Sequence, residues 1–197
     1  MGAWHSLHKH GILRATQDFV EDKDNIPAYT WLIEQMKIRI GPPPIAGLFP
    51  IWGWYQWLDE SRNRPDIRAI RWWHPAGEKN VRIEIECDEN KILLSDYDLW
   101  HFVLNYWYLA TSEKDHDRFH RNYPDLYSIT WQNLDLNIPS KKFHQLIRDR
   151  WQLIFDIDWE NEDAAHPRSK KSIQATLWEI NLAMVRDVTE FKGSPRR

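Results

Sequence analysis

Apolar residues along this chain switch between helical spacing and strict alternation several times, and each switch marks an element. Residues 4–13 read as a short helix ended by Gly11, and the polar run 14–25 as irregular chain leading to Ile26-Pro27. In residues 28–40, Trp31, Met36 and Ile40 recur with Tyr29, Leu32 and Ile33 at helical spacings. Gly41-Pro42-Pro43-Pro44 then stops that helix, because proline has no amide to donate and disfavours a helical predecessor. Residues 50–57, Pro-Ile-Trp-Gly-Trp-Tyr-Gln-Trp, predict a strand with Trp52, Trp54 and Gln56 on one face and Ile51, Tyr55 and Trp57 on the other.

Residues 62–75 read as a charged loop, and 81–87 alternate apolar with charged residues as a half-buried strand does. Residues 93–95 form a strand that turns into a helix through 105, with Ser95 or Asp96 as its cap and Leu99, Phe102 and Val103 inward. The charged stretch 111–125 reads as a surface excursion. Residues 140–155 read as an amphipathic helix with Phe143, Ile147, Trp151 and Ile154 on one stripe. A loop over 160–171, a strand over 173–180 and a short strand over 185–191 complete the pattern. It predicts an α+β fold, one domain over residues 1–197, with a mixed or antiparallel sheet flanked by helices.

Composition narrows the function classes. A formal charge of -3 gives no global attraction to nucleic acid, so such a partner needs a local basic patch. The lone Cys87 forms no internal disulfide, and a mean hydropathy of -0.68 without a long apolar run points away from a membrane protein. With no cleavable signal pattern at its start, the chain is expected to be cytoplasmic. There is no phosphate-cradling glycine loop, no GxSxG elbow and no Cys-His arrangement around Cys87. His5, His8 and His10, and the i, i+4 pair His116 and His120, lack the accompanying Cys or carboxylate pattern of a zinc site. No metal and no cofactor is therefore expected.

The 13 Trp are the strongest chemical signal, since several stand beside Arg, His, Gln or Asp rather than in apolar runs. Rings at this density fill a core or stack on flat, polar-edged ligands. Trp52, Trp54, Tyr55, Gln56 and Trp57 are the candidate substrate-binding residues. Arg62, Arg64, Arg68 and Arg71, followed by Trp72 and Trp73, form a basic patch interleaved with aromatics, suited to phosphates and to the gap left by an extruded base. The same loop also reads as a solvated surface whose arginines pair with Asp59, Glu60 and Asp66. Lys141, Lys142, Arg148 and Arg150, with Arg168, Lys170 and Lys171, either extend the patch or face water. Asp96, Asp98 and His101 are the candidate catalytic residues, because a carboxylate at a helix start and a nearby imidazole suffice for cleavage of an N-glycosidic bond. Ser-Asp before an apolar helix is equally an ordinary cap.

The segments PIWGWYQW, PDIR (residues 65–68), VRIEIE, LLSDYDLWHFVLN and IQATLWEI together resemble an uncharacterised bacterial family, a domain of unknown function, from about residue 28 onward. In that pattern a short strand precedes the first helix, whereas here Met1-Gly2-Ala3 leads almost directly into one. The resemblance implies membership and carries no activity. From the residues themselves, the leading expectation is a monomeric enzyme acting on DNA: a glycosylase that excises a modified base, as in defence against phage. An ADP-ribosyltransferase-like enzyme would instead place Arg68 on the pyrophosphate of NAD and Tyr55 or Trp54 against the nicotinamide. A non-catalytic module recognising a modified base or nucleotide would need the rings but not Asp96.

Overall fold

A computed structural model describes residues 2–124, 129–134 and 141–195. The fold is α+β, and every strand pairing among these residues is antiparallel. Helix α1 (Gly2–His10) stops where Gly11 takes a φ of 74°, a left-handed conformation that glycine adopts without a Cβ penalty. The chain then enters strand β1 (Ile12–Arg14) rather than continuing as the expected helix. A short strand thus lies between α1 and helix α2 (Ile26–Ile40), while the first described element is the helix α1. Gly41, at φ 86°, ends α2 as its sequence requires.

The central sheet has the order β2-β5-β4, formed by β2 (Ile51–Gln56), β5 (Ile173–Leu177) and β4 (Leu93–Asp96). The strand expected over 173–180 is broken at Trp178 into β5 and β6 (Glu179–Asn181), and β6 pairs with β1 instead. The reason is packing. Trp178 turns into the main core and donates its indole N–H to the Gly41 carbonyl at 3.0 Å, whereas Leu177 and Ile180 enter a second, smaller core with Leu7. Arg14 of β1 meets Glu179 of β6 through Nε at 2.9 Å and Nη2 at 2.8 Å, which ties the pairing in register. A separate long ribbon joins β3 (Lys79–Ile85) to β7 (Val185–Lys192).

The main core lies between the central sheet and helices α2, α4 (Tyr97–Leu104) and α6 (Lys141–Arg150). Five tryptophans, Trp31, Trp57, Trp100, Trp151 and Trp178, are buried, so much of the aromatic content is structural. Trp31 and Trp151 meet edge to face with centroids 5.3 Å apart, and the α6 stripe continues past Arg150 as a 3-10 turn over Trp151–Phe155. Two expectations need correction. The excursion over 111–125 contains helix α5 (Glu113–Asn122), and the loop over 62–75 contains a one-turn helix, α3 (Ile67–Ile70), capped by Asp66, followed by a 3-10 turn over Arg71–Trp73. Residue 125 of that excursion and residue 140 of the expected long helix lie outside the described residues.

Helix α5 was hidden because one of its two inward residues is charged. Asp115 is buried beside Phe119, and burial alone would push its carboxyl up. The Thr111 amide, Arg118, Tyr108 and Arg150 outweigh that and hold it below the usual carboxylate range, with Arg118 at 2.7 Å and Arg150 at 3.1 Å. No helix among the described residues is long and apolar enough to cross a membrane.

Candidate functional site

Between β2 and the β3–β7 ribbon lies a cleft of about 580 Å³, within the size range of small-ligand sites. Its floor is the smaller core, where Leu13, Leu177 and Ile180 present apolar surface. One wall is β2. Trp52 packs its ring on Trp100 at 5.3 Å and on Tyr29 at 6.1 Å, and Trp54 packs on Tyr97 at 5.1 Å, so both indoles occupy the β2 face turned toward α4, and alternation gives the opposite face, with Ile51 and Gly53, to the smaller core and the cleft. Between them Gly53 leaves open space: a Cβ built there meets nothing within 4 Å.

The rim is formed by Trp73 and His74, and the backbone explains why they stand there. Gly193, just beyond β7, exchanges hydrogen bonds with Gly77 and Glu78, and Ser194 donates to the Arg71 carbonyl at 2.9 Å. A Cβ on Gly193 would lie 2.0 Å from the Pro75 carbonyl oxygen, so only glycine permits this approach of the 71–78 segment to the ribbon. His74 rests on Phe191 of β7 with ring centroids 5.4 Å apart. Trp73 is about half exposed and meets the neighbouring Trp72 edge to face at 5.7 Å.

The charged part of the cleft comes from β3. Alternation along Val81-Arg82-Ile83-Glu84-Ile85 puts Arg82 and Glu84 on the same side of the strand. Arg64 donates from Nη1 to Glu84 Oε1 at 2.7 Å, and Arg82 Nη2 approaches the same oxygen at 2.8 Å while its Nη1 donates to the Pro65 carbonyl at 3.2 Å. One carboxylate is thus held between two guanidinium groups beside aromatic surfaces. The arrangement can stack a flat ring, hydrogen-bond its polar edge, and set a fixed carboxylate against positive charge developing on a reacting group.

The structure brings together Trp52, Trp54, Arg64 and Trp73 of the residues singled out from the sequence. It sends the others elsewhere. Gln56 is buried and donates from Nε2 to the carbonyls of Arg168 at 2.7 Å and Lys171 at 2.9 Å, Trp57 is buried, and Tyr55 is exposed outside the cleft. Arg62 pairs with Asp59 at 3.3 Å and Arg68 with Asp66 at 2.9 Å, both at the surface, and Arg64 takes Glu84 rather than a loop acid. Hydrogen bonds from Ser61, and the charge of Arg62, hold the Asp59 carboxyl below its usual range, and Arg68 does the same for Asp66. Arg71 and Trp72 lie beyond the cleft lining.

Asp96, Asp98 and His101 do not line the cleft either. Asp96 caps α4, accepting from the amides of Asp98 at 2.9 Å and Leu99 at 3.2 Å, and its second oxygen lies 3.1 Å from Lys171 Nζ. Both side chains of this pair are almost fully buried, and Lys171 also donates to the Trp159 carbonyl at 2.6 Å. Lys171 therefore does not extend a surface patch. Asp98 is exposed, and His101 turns Nδ1 back to the carbonyls of Tyr97 and Asp98 on its own helix. Among the described residues no three His, Cys, Asp or Glu side chains converge as metal ligands. His116 and His120 face each other with Nε2 atoms 2.9 Å apart, and burial together with His116 pushes His120 down.

Sequence reasoning put Glu84 only behind Asp96 as a candidate carboxylate and did not join it to Arg82. The signal was present in the charged positions of the alternating strand, but alternation by itself places such residues in water. The chain belongs to the family described as Domain of unknown function (DUF3841), whose model matches residues 1–186 and so includes α1 and β1. No curated protein and no solved structure matches it.

Proposed function

We propose that this member of the family binds a nucleobase in the cleft and hydrolyses the N-glycosidic bond of that base, with DNA carrying a modified base as the substrate and phage DNA as the setting. The observation that supports it is the coincidence, in one cleft, of the rim rings Trp73 and His74 and a carboxylate fixed by Arg64 and Arg82. Bases stack on such rings whatever their sequence context, and an enzyme that reacts at a base must take it out of the helix into a pocket. In the reaction, the C1′–N bond breaks with its electron pair leaving on the base, and water adds to C1′. The proton that water loses balances the one the base gains. Glu84 replaces Asp96 as the carboxylate that faces the sugar, since it borders the cleft and Asp96 is consumed by its cap and its buried ion pair. Its task is electrostatic stabilisation of the oxocarbenium-like sugar.

A second reading, transfer from NAD, breaks the same kind of bond. It is favoured by the arginine-lined cavity that adjoins the cleft and includes Arg68, which suits a pyrophosphate. One assay separates the readings. The protein is incubated with plain DNA, with DNA carrying modified bases and with NAD, and released small molecules are identified by mass spectrometry. Free base with abasic DNA is the expected result; nicotinamide release would move the assignment to NAD. Saturable binding of DNA with no release from any substrate would make the chain a recognition module.

A further inference from the structure

We propose that the second cavity, of about 640 Å³ beside the cleft, is a phosphate subsite, so that the ligand is a nucleoside phosphate unit rather than a free base or nucleoside. The inference rests on the reading of the cleft as a base site and specifies what enters it. Four arginines, Arg62, Arg64, Arg68 and Arg82, line this cavity against one carboxylate, Asp66. Arg62 and Arg64 come from the loop after β2, Arg68 from α3 and Arg82 from β3, so the fold gathers charge that the sequence distributes over residues 62–82.

The two cavities share a wall. Arg64 and Arg82 border both, whereas Glu84 borders only the cleft. A guanidinium carries five N–H donors in a fixed fork, so one arginine can hold a carboxylate on one side and a phosphate oxygen on the other. The remaining pair is available at small cost. Arg62 and Arg68 have side chains 51% and 90% exposed, and their ion pairs with Asp59 and Asp66 are surface pairs of the kind that contribute little to stability. A phosphate offers them a charge-assisted, bidentate partner in place of a carboxylate. Base and phosphate would then be read on opposite sides of the Arg64–Arg82 wall, as expected for a ligand in which the two are joined through a sugar.

The test uses the full chain and four probes: deoxycytidine, deoxycytidine 5′-monophosphate, inorganic phosphate and pyrophosphate. Affinities are measured by calorimetry for the wild type and for Arg62→Gln/Arg68→Gln, whose substitutions lie at exposed positions and whose fold is checked by circular dichroism. The monophosphate should bind the wild type about tenfold or more tighter than the nucleoside, the scale of one or two charge-assisted hydrogen bonds. The double variant should lose that advantage and its pyrophosphate binding, while keeping its affinity for the nucleoside. Equal affinity of the wild type for nucleoside and monophosphate, or a phosphate preference that survives in the double variant, overturns the subsite. Pyrophosphate binding that the double variant loses, with no nucleoside binding by either protein, would support the subsite and reject the base cleft instead.

Discussion

Replacing Lys171 by Met should lower the unfolding free energy by about 3 to 5 kcal/mol, the cost of leaving one member of a buried ion pair without the other. The side chains of Lys171 and Asp96 are 1% and 3% exposed, and the ammonium also satisfies the Trp159 carbonyl. Its own carbonyl accepts from Gln56, so the residue joins β2, the start of α4 and the segment before β5. Asp96→Asn should cost a comparable amount, although Asn caps helices almost as well as Asp, because the ammonium is then left uncompensated. If Asp96 were a cap and nothing more, that variant would be nearly neutral. Asp96→Asn combined with Lys171→Met should cost clearly less than the two single changes added together. Urea denaturation of the three variants measures all of this. Single variants within about 0.5 kcal/mol of wild type would show that the pair contributes nothing.

Glu84→Gln should slow single-turnover base release by about a hundredfold or more, the scale on which one preorganised electrostatic group acts on a charged transition state. The amide keeps the size of the side chain and can still accept from Arg64 and Arg82, so DNA affinity should change only a few-fold. Two controls separate this effect from a general loss of charge. Glu86 stands two residues on but pairs with Arg186 at 2.7 Å, with its side chain 72% exposed, and Glu86→Gln should retain the wild-type rate. Asp96→Asn, assayed well below its melting temperature, should also retain it. Base release by Glu84→Gln at the wild-type rate would remove the catalytic role and leave Glu84 as the residue that positions Arg64 and Arg82.

The elements with strong periodicity were legible from the residues alone. Helix α2 ends at Gly41 as its proline run demands, and β2, β3 and the β4-to-α4 turn lie within two residues of their expected bounds. Two of the misses share a cause, namely a choice made by partners distant in sequence. Trp178 breaks the last long strand because the main core has room for an indole near Gly41. Asp115 sits inward on α5 because Arg118, Tyr108 and Arg150 surround it, and no local pattern reports an ion pair closed by a residue of another helix. The site was legible by half for a related reason. The rings of β2 and the basic loop announced a ligand surface, but which carboxylate faces that surface depended on pairing. Asp96 has the local signature of a functional turn and is sealed by Lys171, a residue 75 positions away that read as surface charge. Glu84 has the local signature of a solvated strand position and is carried into the cleft by the β3–β7 ribbon.

If the cleft between β2 and the ribbon is the ligand site, narrowing it at Gly53 should expel the ligand. A Cβ on Gly53 meets nothing within 4 Å and its φ is not in the left-handed region, so Gly53→Val adds bulk at the cleft wall with a residue that strands favour. The measurement is the affinity of deoxycytidine 5′-monophosphate for wild type and Gly53→Val by calorimetry, alongside their melting curves. Binding at least about tenfold weaker in the variant is expected, the equivalent of roughly 1.4 kcal/mol, with an unchanged melting temperature. Equal affinity in the two proteins would contradict the cleft as the ligand site.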